Sequence, residues 1–331
     1  MTDMKVRIAG TGIYLPEILV TDAEMDHRLQ VKPGWVRKKT NVHRRRFVGT
    51  ETASQMGAVA AKRALEAAQL EFADIDCLVC TSATMQQPIP CTASLIQEAL
   101  GQGKSGVPSF DINSTCLSFV AGMDVMSYMV HAGRYRRVLL VSTEVASKGL
   151  NWEQKESAAL FGDGAAAVVV ERSGEGASRI LHAAMNTYSA GAHHSEIRGG
   201  GSGLHAGEYK EENDSEFRFD MKGEAIFRMA YKLLPDFMEG VLQATGSAIG
   251  DYRLVVPHQG SAMAMRLLSR KLGISDEQLM NITPEFGNVI AASIPMALHE
   301  AIRQGRMQRG DRILLFGTSA GFSIGAIDLV Y

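Results

Sequence analysis

The stretch FDINSTCLSFVAGMDVMSYMVHAGRYRRVLLVSTEVA, Phe110 to Ala146, decides how the chain is built. It opens on a short strand-like run and turns at a cysteine. It then continues with apolar residues at helical spacing: Cys116, Phe119, Val120, Met123, Met126 and Val130. Past Gly133 it closes on RVLLVSTEVA, a largely apolar run of strand length. A strand without polar alternation belongs to a sheet covered on both faces, so this segment predicts an α/β protein.

The same rhythm extends in both directions. Upstream, KVRIAGTGIYLP reads as a buried strand, and its Gly10-Thr11-Gly12 lacks the third glycine of a dinucleotide fingerprint. TETASQMGAVAAKRALEAAQL reads as a helix opened by a capping box, Thr52 with Gln55. DCLVCTSA is a strand and CTASLIQEALG a helix. Downstream, FGDGAAAVVVERS is another strand, and near Arg179 the pattern restarts. Strand SRILHAAMNTYS precedes helix GEAIFRMAYKLLPDFMEGVLQATG. Strand YRLVVPHQG runs into helix AMAMRLLSRKLG, FGNVIAASIPMALHEAIRQG supplies a further helix, and DRILLFGTSAG and SIGAIDLVY close the chain. Two related halves, 1–175 and 176–331, are the expected organisation. Residues 189–216, rich in Gly and charge without an apolar period, read as a surface loop.

Composition removes several classes of function. In 331 residues, 46% hydrophobic and 21% charged, 34 basic side chains meet 36 acidic ones for a net charge of −2. That balance supplies no field for nucleic acid as the main partner. No apolar run approaches the ~20 residues needed to span a bilayer. The N-terminus carries charge and glycine where a signal peptide needs an apolar stretch, so a cytoplasmic protein is expected. Cys77 and Cys80 form a C-x-x-C, but their odd separation on a strand points the thiols to opposite faces, which disfavours a zinc or redox pair. His193, His194 and His205 fit no common zinc spacing, and no metal is expected.

Three residues remain for chemistry. If the helix starts at Cys116, the thiol lies among free N–H groups at the positive end of the dipole, which lowers a thiol pKa. His258, in PHQG, stands at a strand-to-helix turn, and Asn288 follows Gly287 where an apolar helix begins. Singly, each has a structural reading: a buried thiol, a hydrogen-bonded imidazole, an N-cap. Together they occupy element ends, where α/β sheets present ligand sites. They suit acyl transfer from thioesters. A thiolate stores the acyl group, backbone N–H groups hold the oxyanion, and imidazole and amide bond a second thioester as it becomes an enolate.

STCLSF, VPHQG, FGNVIAASIP, FGDGAAAVV and the closing GTSAGFSIGA resemble the motifs of the β-ketoacyl-acyl-carrier-protein synthase III family of the thiolase superfamily, in order along essentially the whole chain. The resemblance implies a five-layered αβαβα thiolase fold, a homodimer and the triad Cys116, His258 and Asn288. It implies that acyl-CoA loads Cys116, that a malonyl thioester is the second substrate, and that decarboxylative Claisen chemistry gives a 3-oxoacyl product in fatty acid or secondary-metabolite biosynthesis, with no permanently bound cofactor. The amides of Cys116 and Ala320 would form the oxyanion hole. Trp35, Lys39 and Lys155 match the coenzyme A segment, both lysines standing where relatives often carry arginine. Arg266, Arg270 and Lys271 would dock an acidic acyl carrier protein, against the reading of a solvated helix face.

The chain also departs from the pattern. Met263 replaces an expected arginine of the docking patch, and Thr318 stands where a phenylalanine is frequent near the histidine. CLSFVAGMD resembles the olefin-biosynthesis branch, which joins two acyl chains without decarboxylation and uses a glutamate base; the matching position here is Gln87, which cannot take a proton. Gln87 also stands where short-primer relatives close the acyl tunnel with phenylalanine. Acyl transfer to an alcohol or amine, non-decarboxylative condensation, and a non-catalytic partner subunit are the alternatives.

Overall fold

The computed structural model describes residues 3–174 and 178–331, so the expected boundary between halves at 175/176 lies outside the described residues. Two mixed sheets organise the chain. The first runs in the order β1-β5-β4-β2-β3, built from β1 (Val6–Tyr14), β2 (Cys77–Cys80), β3 (Ser109–Asp111), β4 (Arg137–Glu144) and β5 (Gly164–Arg172). The second runs β7-β8-β9-β6, from β6 (Arg179–Thr187), β7 (Leu254–Pro257), β8 (Arg312–Ser319) and β9 (Ser323–Val330).

Helices α1 (Ala53–Ala68) and α2 (Thr92–Ala99) cover the outer face of the first sheet. Helices α4 (Gly223–Thr245) and α5 (Ala262–Leu272) cover the outer face of the second. Between the sheets lie α3 (Ser118–His131) and α6 (Ser293–Arg303), which completes five layers. The capping box at α1 is present, Thr52 accepting from the Gln55 N–H while Gln55 accepts from the Thr52 N–H. Apolar strands follow from this sandwiching. In β4, Val138 and Leu140 enter the central core, while Leu139 and Val141 enter the outer one. Likewise Cys77 faces the central layer and Cys80 the outer layer, as their odd spacing requires, and all four cysteines are free.

Residues 189–216 fold into short 3₁₀ turns and a two-residue strand. The His193 ring meets Glu196 at 2.7 Å, and His205 accepts from the Gly207 N–H, so both imidazoles serve local turns.

The central layer holds the largest share of the apolar contacts and fixes the spacing of the sheets. Leu140→Ala, at a position 1% exposed, is expected to cost about 2–5 kcal/mol of unfolding free energy. The exposed Lys62→Ala should stay within about 0.5 kcal/mol. Urea melts of the two variants compare them directly.

Candidate active site

Cys116 sits on a sharp elbow between β3 and α3. Thr115 adopts φ +49°, a left-handed conformation that costs a β-branched residue energy and survives because its surroundings fix it. The Thr115 N–H bonds the Asn113 side chain at 2.8 Å. Ser118 Oγ accepts from Ser114 N–H at 2.9 Å and donates to the Thr115 carbonyl at 2.6 Å. The Thr115 hydroxyl crosses to the second sheet and donates to the Ala320 carbonyl at 3.1 Å.

Helix α3 begins at Ser118, so the sulfur lies before its first turn rather than inside it. The expectation of a lowered thiol pKa is corrected accordingly. Burial pushes Cys116 up to about 11, the negative charge of Glu144 adds to that, and N–H groups of Ala320 and of Cys116 itself pull it back only in part. Those two N–H groups are the pair expected to cradle an oxyanion. The thiol keeps partial access to solvent.

His258 follows β7, its N–H donating to the Phe316 carbonyl at 2.8 Å. A Cβ at Gly317 on the neighbouring strand would lie 2.6 Å from His258 Cβ and 3.3 Å from Leu117 Cδ2, so glycine lets the histidine turn approach the cysteine elbow. Burial lowers the imidazole pKa to about 4, so His258 is neutral near pH 7. Its Nδ1 is buried without a hydrogen-bond partner among the described residues, while Nε2 faces the Gly260 side, where Asn288 lies. Beside it Gln259, fully buried, donates to the carbonyls of Pro257 and Met280 and accepts from Ile282 N–H. It thereby ties the histidine turn to the segment leading to Asn288.

Asn288 is held by its backbone between Leu160 O (2.8 Å, donating) and Gly162 N–H (3.0 Å, accepting). Gly287 before it has φ +67°, and a Cβ there would be 2.6 Å from the Leu160 carbonyl. The Asn288 side chain accepts from Ile290 N–H at 2.9 Å and extends Nδ2 toward the Gly260 carbonyl at 3.4 Å. A short 3₁₀ turn, Ile290–Ala292, follows with Val289 at its N-cap, and α6 starts only at Ser293, so the expected N-cap role and direct helix start at Asn288 are both corrected. The bond to Ile290 uses the amide oxygen, and of the two amide N–H groups one lies toward Gly260 and the other remains for chemistry.

Trp35 and Lys39 lie on the helix Trp35–Thr40, and Lys155 opens the helix Lys155–Ala158. Lys39 Nζ meets Glu156 at 2.9 Å and stands 5.9 Å from the Trp35 ring centre, so these helices meet at one rim. Arg266, Arg270 and Lys271 are exposed on α5 beside exposed Met263 and Leu267, with Lys271 Nζ 3.5 Å from the Tyr231 ring centre. Gln87 is exposed and donates to the Ile89 carbonyl at 2.6 Å, remote from the elbow's own hydrogen bonds. Gln259 and Glu144 escaped the sequence reading. The signal for Glu144 was a lone acid closing an otherwise apolar strand, at the strand end where sheets present their sites.

Two family models match the chain: 3-oxoacyl-(acyl-carrier-protein) synthase III over residues 110–189, and its C-terminal counterpart over 242–331. A β-ketoacyl-(acyl-carrier-protein) synthase III of Aquifex aeolicus is 35% identical over 99% of this chain and 100% of its own. Its counterpart in Alkalilimnicola ehrlichii is 34% identical over 98% and 99%. The crystal structure of the Aquifex aeolicus 3-oxoacyl synthase III superposes with a TM-score of 0.89 at 32% identity, covering 98% of this chain and 100% of that one. A histidine-to-alanine variant of OleA from Xanthomonas campestris shares the fold, with a TM-score of 0.86 at 24% identity over the full length of both chains.

A neutral thiol beside a neutral imidazole has a kinetic signature. The rate of Cys116 alkylation by iodoacetamide, separated from Cys91 by peptide mass mapping, should keep rising toward a midpoint of about 11. A plateau below pH 8 would reveal a thiolate–imidazolium pair instead.

Proposed function

Because the chain belongs to the 3-oxoacyl-(acyl-carrier-protein) synthase III family, we propose that its condensing chemistry is carried by Cys116, His258 and Asn288, with acyl-CoA as primer and a malonyl thioester as extender. The chain is an acyltransferase of the thiolase fold. The observation that carries the residue assignment is the convergence of three side chains from separate turns. The thiol faces the Ala320 N–H, the imidazole is neutral, and the amide is anchored beside Gly260.

In loading, Cys116 Sγ attacks the acyl-CoA carbonyl, whose oxygen becomes an oxyanion within reach of the Cys116 and Ala320 N–H groups. The bond from the acyl carbon to the coenzyme A sulfur breaks, and the thiol proton ends on that departing sulfur. In condensation, His258 Nε2–H and Asn288 Nδ2–H bond the malonyl thioester oxygen. Carbon dioxide leaves, its bonding electrons form the enolate, and the enolate carbon attacks the acyl carbonyl. The bond to Cys116 breaks, the 3-oxoacyl thioester departs, and the sulfur takes one proton from solvent. A neutral imidazole suits this step, because it donates without needing to shed a charge.

The rim of Trp35, Lys39 and Lys155 is assigned to coenzyme A, with Glu156 giving up Lys39 to a phosphate. Arg266, Arg270 and Lys271 are assigned to an acidic carrier protein, and the exposed Met263 and Leu267 on the same helix add apolar contact. A homodimer is supported by β3, an edge strand with Phe110 exposed. Met85 (59% exposed), Ile89 (84%) and the α3 residues Val125, Tyr128 and Met129 extend that uncovered apolar surface. In such a dimer Gln87 would approach the partner's acyl site and bear on chain length. The two halves 1–175 and 176–331 and a cytoplasmic setting complete the proposal. No helix among the described residues is long and apolar enough to cross a membrane.

Intact-protein mass spectrometry with mixed acyl-CoAs should add one acyl mass, lost in Cys116→Ala, and a malonyl chase should release a 3-oxoacyl product. Acyl-enzyme that forms but yields no carbon–carbon bond would redirect the reading to transfer onto an alcohol or amine, and absence of any adduct would remove it. His258→Ala and Asn288→Ala should still load while condensation falls by about 10²–10³, the usual loss for one oxyanion donor. The double charge reversal Arg266→Glu, Arg270→Glu should raise KM for a malonyl-carrier substrate by about tenfold and leave malonyl-CoA unaffected.

A further inference from the structure

Glu144 closes β4 and is fully buried, yet it pairs with no cation among the described residues. Its carboxylate faces groups from two separate segments. Oε1 accepts from Ala83 N–H at 2.6 Å, and Oε2 accepts from Thr84 N–H at 3.1 Å and from the Thr84 hydroxyl at 2.6 Å. The turn Ile290–Ala292 packs against β4, and its Ala291 N–H favours the charged form of the same carboxylate.

These segments lead to the two sides of the reacting centre. The loop 82–84 buttresses the cysteine elbow: Ser118 Oγ reaches the Ser82 carbonyl at 3.3 Å, and Asn113 Nδ2 donates to the Ala83 carbonyl at 3.1 Å. Ala291 lies in the turn whose first N–H bonds the Asn288 side chain. One carboxylate therefore joins the support of Cys116 to the support of Asn288.

Burial is the main cause that keeps Cys116 in the thiol form; the Glu144 charge from β4 adds to it, while His258, from the turn after β7, is neutral near pH 7. Burial raises the Glu144 carboxyl to about 7, against the hydrogen bonds that lower it. With its oxygens already committed to protein donors, Glu144 has no free lone pair aimed at substrate, which argues against a general base.

We propose that Glu144 is a positioning residue for the condensing reaction: its carboxylate sets the loop behind the Cys116 elbow against the turn that follows Asn288. This rests on the assignment of the triad above.

Two variants test the position of the carboxylate. Glu144→Gln keeps the shape and opposes an amide NH₂ to N–H donors, and Glu144→Asp withdraws the carboxylate by one methylene. Each is expected to lower condensation kcat about tenfold with KM within about twofold, measured well below the melting temperature of the variant. A residue that merely stabilises the fold would lower the melting temperature and leave kcat of the folded variants at the wild-type value; that result overturns the proposal. Should the glutamine variant fail to fold, Glu144→Asp decides alone, wild-type kcat overturning the proposal and a tenfold loss supporting it. Iodoacetamide alkylation of Cys116 needs no substrate, so a wild-type chain that takes up no acyl group would sink the proposed function, while an altered alkylation rate in both variants would still read out a displaced elbow and an unaltered one would overturn the proposal.

Discussion

The centre depends on the join between the cysteine elbow and the second sheet, where the Thr115 hydroxyl bonds the Ala320 carbonyl at 3.1 Å. It brings the elbow of one sheet to the hairpin turn of the other, and so brings the Ala320 N–H to the sulfur. Everything nearby makes room for that closeness. Gly317 admits the histidine turn, Gly287 admits the chain that carries Asn288, and Gln259 holds the two turns at fixed separation. A hydrogen bond of this kind contributes only about 1 kcal/mol net, so its weight here is geometric.

Burial then decides the protonation states. Desolvation disfavours charge on the thiol and on the imidazole alike, so both rest neutral near pH 7. A cysteine hydrolase gains from a preformed ion pair, because its nucleophile must attack unactivated bonds. A thioester is already activated, so the proposed chemistry does not need that pair, and an uncharged imidazole keeps one N–H to donate.

Much of this was legible in the sequence. The uninterrupted apolar runs of β4 and β5 announced sheets covered on both faces, and the odd spacing of Cys77 and Cys80 assigned them to different layers. Cys116, His258 and Asn288 could be picked out because turns at strand ends are where side chains escape packing. What could not be read was anything set by solvation. The helix start at Ser118 rather than Cys116, and a thiol pushed up instead of down, follow from how deeply the elbow is enclosed. Local spacing carries no record of that depth. Glu144 was hidden for a related reason: its donors, Ala83 and Thr84, and its neighbour Ala291 are distant in the chain.

If the rim takes coenzyme A as proposed, the ion pair of Lys39 with Glu156 bears on how that capture responds to salt. Both side chains are exposed, so the pair itself contributes little to stability. If a phosphate takes Lys39, one ion pair is exchanged for another, and Glu156 gathers the counter-ion that the phosphate gives up. Few ions are released to the bulk in such an exchange. Rising ionic strength weakens the occupied and the empty arrangement together, and the rim acts as an electrostatic buffer: affinity for a highly charged carrier molecule becomes less sensitive to the surrounding electrolyte than a bare cation at the same place would make it.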